Sequence, residues 1–185
     1  DGYGQNFVSG KIFFPPATGA HLIYGEILNR YQALGGPADS DLGFPTIDEA
    51  AGLVGPDSRV STFSGSDKPV IFWTPDTGAW VVRGAINAAW DKLGGSAGTL
   101  GVPIEDETYN GNVISQKFSG GELSYDSSTK TFSSVPPDLA SDLTRVDVPT
   151  DATAAINQAW RAAGGISWPL GARQGAQTTV GDNGA

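Results

Sequence analysis

The chain has 185 residues and no cysteine, which removes a disulfide framework, thiolate metal sites and cysteine nucleophiles together. Its formal charge is -9 and its pI about 4.3, so it repels phosphate backbones and nucleic acid is not an expected partner. With 26 Gly and 12 Pro against few Lys, the composition suits a loop-rich β fold better than a helical bundle. No apolar run approaches the roughly 18 residues of a membrane span. There is no Met, so a mature or excised product is expected, and the absence of a signal peptide from such a chain does not argue for the cytoplasm.

In chain order, the first expected element is a β-hairpin. Ile12 and Phe14 alternate on one strand, "ATGA" (17–20) supplies the turn, and "HLIYG" is the returning strand. A short helix follows, "EILNRYQAL", with Ile27, Tyr31 and Leu34 on one face. It stops at Gly35-Gly36, where a left-handed glycine cap is expected. Then come "DLGFPTIDEA" (41–50) and an extended run.

The series then starts again. Phe63 opens a second copy, with Ile71 and Trp73 on the first hairpin strand, "DTGA" (76–79) as the turn and "WVVRG" as the return. Its helix, "AINAAWDKL", carries Ile86, Trp90 and Leu93 on one face and stops at Gly94-Gly95. "TLGVPIEDET" (99–108) closes it. A third copy opens at Phe118, breaks into a Pro- and Asp-rich insertion, and resumes at "AAINQAWRAAGG". Here Ile156, Trp160 and Ala163 are expected to form the apolar face. The insertion is expected to be a surface loop. The repeats are placed at about residues 1–56, 57–111 and 112–185, the third carrying the insertion near 133–152. The final "DNGA" occupies the place of the opening "DGYG", so about three units are cut in phase. Such units either close as a ring, as propellers do, or form part of a longer array.

Leu42-Gly43-Phe44-Pro45, Leu100-Gly101-Val102-Pro103 and the degenerate "PLGAR" (169–173) resemble the LGFP repeat, as do the Gly-Gly stops and the Phe-Ser-Gly strand openings. The resemblance covers nearly the whole chain apart from residues 133–152. That family occurs as tandem arrays in exported proteins of mycolic-acid bacteria, appended to mycolyltransferases or peptidoglycan amidases. The resemblance implies a β-rich α+β repeat fold of three hairpin-plus-helix units in a partial or closed pseudo-symmetric ring. It also implies a secreted, non-catalytic envelope module that binds arabinogalactan or peptidoglycan. A catalytic domain or envelope protein outside this chain would be a further partner. The alternative is a structural or protein-interaction module of an envelope complex; a cell-wall hydrolase is a third reading.

The candidate glycan-binding residues follow from chemistry. Asp48-Glu49 aligns with Asp106-Glu107, each acid pair lying just past an LGFP turn. Two carboxyls could cleave a glycosidic bond, but neighbours on an extended chain point to opposite faces. They can instead anchor backbone N–H groups or accept hydrogen bonds from sugar hydroxyls. His21, the one histidine, aligns with Trp80; both rings are flat and can donate a hydrogen bond. A catalytic histidine would not exchange for tryptophan, so packing or glycan contact is expected of both. Trp73 and Trp80 on the hairpin and Trp168 after the third helix can stack on sugar rings. Trp90, Trp160 and Tyr31 read as core. Arg30 and Arg83 are expected to pair with the acids of the LGFP turn, a structural role. No phosphate loop, dinucleotide cradle, calcium loop or Gly-x-Ser-x-Gly elbow is found, and no cofactor or metal is expected.

Overall fold

The computed structural model describes residues 1–54, 57–167, 170–175, 177, 178 and 180. The chain is a mixed α/β protein with three antiparallel sheets and five helices among these residues. The first sheet comprises β1 (Tyr3–Asn6), β2 (Gly10–Phe14) and β3 (His21–Tyr24). After α1 (Gly25–Ala33) and the short α2 (Gly36–Asp39), a second sheet is built from β4 (Ala50–Ala51), β5 (Arg59–Thr62), β6 (Val70–Thr74) and β7 (Gly78–Val82). Helix α3 (Gly84–Lys92) leads to the third sheet: β8 (Thr108–Asn110), β9 (Val113–Phe118), β10 (Gly121–Asp126) and β11 (Thr131–Val135). The chain continues through α4 (Asp138–Ser141) and α5 (Ala152–Ala162). Each sheet is an open meander of sequential strands. The expected hairpins are present, the first enlarged by β1 and the other two by strands from the extended runs before Phe63 and Phe118.

Sheets and helices interleave. Helix α1 buries Ile27 and Tyr31 between Phe13 and Ile23 of the first sheet and Ile71 and Val81 of the second, with Phe63 just past β5 in the same cluster. Helix α3 buries Ile86 and Trp90 between Phe72 and Val82 of the second sheet and Ile114, Phe118 and Leu123 of the third. The second sheet is therefore apolar on both faces. That is why "VIFW" and "VV" run without a polar break where an exposed sheet would alternate. On the first sheet, the outward face holds Phe14 and Leu22, which are partly exposed.

Each major helix ends as expected. Gly35, Gly94 and Gly164 take φ of 109°, 96° and 105°, a conformation that costs an L side chain about 1–2 kcal/mol.

The third copy departs from the expected pattern in two places. Ile156 is 52 % exposed, and α5 buries Ala154, Asn157 and Trp160 instead. The helix re-enters after the insertion and lies against turns and loops of the earlier copies, so it presents a rotated face. The insertion is not only a surface loop: Leu139 and Leu143 are buried in the α3 cluster, with Val146 and Val148 packed against it. Its apolar residues cap the open side of that core.

Candidate functional site: the repeat turns and the Trp73 groove

The Leu-Gly-x-Pro turn is a built device. Leu42 and Leu100 are fully buried. Gly43 and Gly101 both take φ of 75°, and a Cβ there would lie 2.4 Å and 2.2 Å from the hydroxyls of Ser64 and Ser119. Those hydroxyls accept from the next backbone amides, Phe44 at 2.9 Å and Val102 at 3.0 Å. Pro45 and Pro103 bridge to Phe63 and Phe118. The helix aromatic completes the turn. Tyr31 Oη donates to the Gly43 carbonyl at 2.5 Å, Trp90 Nε1 to Gly101 at 2.9 Å, and Trp160 Nε1 to Gly171 at 2.8 Å. The polar tip of a buried ring is thereby satisfied in all three copies.

The acids after the turn reach back to hold the hairpin of their own copy. Asp48 Oδ1 accepts from the Leu22 amide at 3.0 Å, and Asp106 Oδ1 accepts from the equivalent Val81 amide at 2.7 Å. Glu49 accepts from the Tyr24 amide at 3.1 Å and from Arg59 Nε at 3.2 Å. Its side chain is 3 % exposed, and that of Glu107 6 %. Asp48 is the open one, at 72 %. Arg30 pairs with Asp106 and its guanidinium lies over the Trp80 ring.

His21 and Trp80 do one job. His21 Nε2 donates to the Thr18 carbonyl at 2.9 Å, and Trp80 Nε1 donates to the equivalent Thr77 carbonyl at 2.5 Å. A carbonyl only accepts, so the proton of neutral His21 sits on Nε2. Its Nδ1 faces Asp48 at 3.5 Å.

A buried charge cluster joins the copies. Arg83 donates to Asp67 at 2.6 Å and to Asp41 at 3.0 Å; Arg161 donates to Asp41 and, at 3.3 Å, to Glu107. Tyr109 donates to Glu107 and receives from Arg161. Burial raises the pKa of Glu107, and the Arg161 and Arg83 charges offset this only in part. Burial also acts to raise Asp67, but the hydrogen bonds and charge of Arg83 win and hold it below the ordinary carboxylate value.

Of the expected residues, Trp73 and Glu49 meet in one open groove of about 560 Å³. Its polar and aromatic lining also includes Tyr24, Glu26, Asp57 and Arg59, with Gly25, Ile27 and Pro75 between them. The Arg59 guanidinium sits 5.3 Å from the centre of the Tyr24 ring and also donates to the Tyr24 hydroxyl. His21 and Asp48 sit together elsewhere, as do Trp80 and Asp106. Trp168 lies outside the described residues. Among these residues no His, Cys, Asp or Glu cluster has metal-binding form. Tyr24, Arg59, Asp41, Asp67 and Arg161 were not anticipated. The signal available for Asp41 was its place directly before Leu42; Arg59 lies only ten residues from Glu49, on the extended run where no helix or repeat pattern marked the pair, and Arg161 gave none because Asp41 lies 120 positions away.

The family model for the LGFP repeat matches residues 1–39 and 42–98, which together make up more than half of the chain. The chain belongs to the LGFP repeat family. Both matched LGFP segments contribute to the Trp73 groove, and the third copy lies outside the matched residues. A cell-wall-associated repeat module is the role the LGFP match suggests. No curated protein matches the chain. Among the described residues no helix is long and apolar enough to cross a membrane.

Proposed function

We propose that this chain is a non-catalytic module that binds cell-wall polysaccharide, arabinogalactan or peptidoglycan, and holds an exported protein at the envelope. The observation that carries this reading is the Trp73 groove. It pairs aromatic surface, Trp73 and Tyr24, with Arg59 and the acids Glu26 and Asp57. Sugar rings present apolar C–H faces and a rim of hydroxyls, and this lining offers both a stacking surface and polar partners.

A hydrolytic reading has less support. Asp48, Asp106 and Glu49 already accept backbone amides, and Glu107 already takes Arg161 and Tyr109. Carboxylates committed in this way hold strands in place rather than move protons. The units are proposed to sit in a partial ring, supported by the reach of Arg161 in the third copy to Asp41 in the first. His21, Trp80, Asp48 and Asp106 remain proposed as an outer contact surface, with Trp168 as a further candidate.

The experiment is retention on isolated, insoluble arabinogalactan–peptidoglycan. The chain is expected to sediment with the wall and to be released by solubilised wall fragments. If it stays in solution while an envelope protein co-purifies with it, the interaction-module reading replaces this one.

A further inference from the structure

The Trp73 groove has a second edition in the same chain. Cross-strand register fixes the correspondence: Arg59 pairs with Trp73 across β5 and β6, and Ile114 pairs with Tyr125 across β9 and β10. Gly25, Glu26, Glu49, Arg59, Trp73 and Pro75 thus map one for one onto Gly84, Ala85, Glu107, Ile114, Tyr125 and Ser127. All six of the latter line one cavity.

That cavity is small, about 180 Å³ against about 560 Å³ for the first groove. The difference is occupied by this chain itself. Val148, Pro149, Ala154, Ala155, Gln158 and Arg161 form its other wall. Ala154, Gln158 and Arg161 share one face of α5, whose first turn is capped by Asp151 accepting from the Ala154 amide at 2.6 Å. Tyr125, which corresponds to half-buried Trp73, is reduced to 6 % exposure.

The chemistry of the exchange is legible. In the first groove, the buried glutamate, Glu49, receives its guanidinium from the groove's own strand, through Arg59, with the Tyr24 hydroxyl beside it. In the second, Ile114 stands where Arg59 would be. The guanidinium comes from the third copy's helix α5, through Arg161, with the Tyr109 hydroxyl beside it. Each glutamate thus has a guanidinium within hydrogen-bond reach, and the second has it only when α5 is seated.

We infer that residues 148–161 are an internal occupant of a second sugar-binding groove with Tyr125 as its stacking platform, so that the chain offers one open glycan site and one closed by the end of its own insertion and the helix α5 that follows. The inference rests on the glycan reading of the first groove. A sugar ring is the expected ligand class for both, because both combine an aromatic face with a buried, ion-paired glutamate.

The test uses the full chain and titration calorimetry with solubilised arabinogalactan–peptidoglycan fragments, alongside hydrogen exchange of residues 152–162. Trp73→Leu is expected to abolish binding. Adding Ala154→Glu, which places a charge where α5 meets the groove, is expected to speed exchange in 152–162 and to restore binding to within about tenfold of wild type. The pair Ile114→Arg and Arg161→Ala, which moves the guanidinium back to the strand, should act the same way. Unchanged binding in Trp73→Leu alone overturns the first-groove reading and the inference with it. Fast exchange without restored binding overturns the inference alone. If neither variant speeds exchange, the segment is integral core rather than an occupant, and the inference fails on that ground.

Discussion

Arg161, on the last helix, donates to the carboxylate of Asp41, the residue before the first Leu-Gly-Phe-Pro turn and 120 positions earlier. Asp41 also takes Arg83, and Arg83 and Arg161 both reach Asp67. Elements of all three copies are thus tied at one buried point. Arg161→Ala leaves Asp41, Asp67 and Glu107 sharing one guanidinium in a site shielded from water. Breaking a buried pair from one side costs about 3–5 kcal/mol. The variant is expected to lose about 3 kcal/mol or more in urea unfolding, and a loss under about 1 kcal/mol would mean that the cluster carries little of the assembly.

Gly43→Ala should be destabilising by at least about 2 kcal/mol, because it adds a left-handed penalty to a clash with Ser64. Removing the hydroxyl with Ser64→Ala should recover only part of that cost, since the φ of 75° persists. Full recovery in the double variant would show that sterics alone select glycine.

His21→Trp is expected to fold with near wild-type stability, because the sister position already seats an indole on the same turn carbonyl. His21→Ala should cost about 1 kcal/mol, the worth of one hydrogen bond. Thermal melts of the two variants decide. A His21→Trp melting point well below that of His21→Ala would contradict the equivalence.

Stability should change with pH in a stated order. Glu107 and Glu49 have folded pKa values raised above the ordinary 4.5, mainly by burial. Between neutrality and pH 4.5 the folded state therefore binds protons before the unfolded state does, and stability rises as pH falls. Asp67 is shifted the other way, its folded pKa lying below the ordinary 3.8. Its contribution is present above 3.8 and is lost as pH falls below that value. Urea midpoints at pH 7, 5 and 3 should pass through a maximum near the middle, and Glu107→Gln should reduce the gain between pH 7 and 5. An unchanged gain in that variant would place the titration elsewhere.

Much of this architecture was written locally. Ile27 and Tyr31 show the helix period, Gly35 and Gly94 mark helix stops, and the His21–Trp80 alignment already hinted that neither ring is catalytic. The acids Asp48 and Asp106 were open between anchoring and sugar contact, and their bonds to the Leu22 and Val81 amides supply the anchor. What stayed hidden depends on segments far apart in the chain. The period that placed Ile156 inside was read from a short helix with no view of its neighbours, and α5 seats a different face. Arg59 and Arg161 sit at non-equivalent positions of the repeat yet serve equivalent glutamates, so aligning the copies could not reveal them. The insertion looked polar by its Pro and Asp content, while Leu139 and Leu143 inside it close the core.

The most direct measurement follows the indole N–H signals of the tryptophans by NMR as solubilised arabinogalactan–peptidoglycan is added. Trp73 lines the open groove, whereas Trp90 and Trp160 are buried, with their N–H groups bonded to the turn glycines. The account predicts a saturable shift of the Trp73 signal, lost on competition with unlabelled chain, while Trp90 and Trp160 hold still. A Trp73 signal that does not move at glycan concentrations that retain the protein on the wall would contradict it.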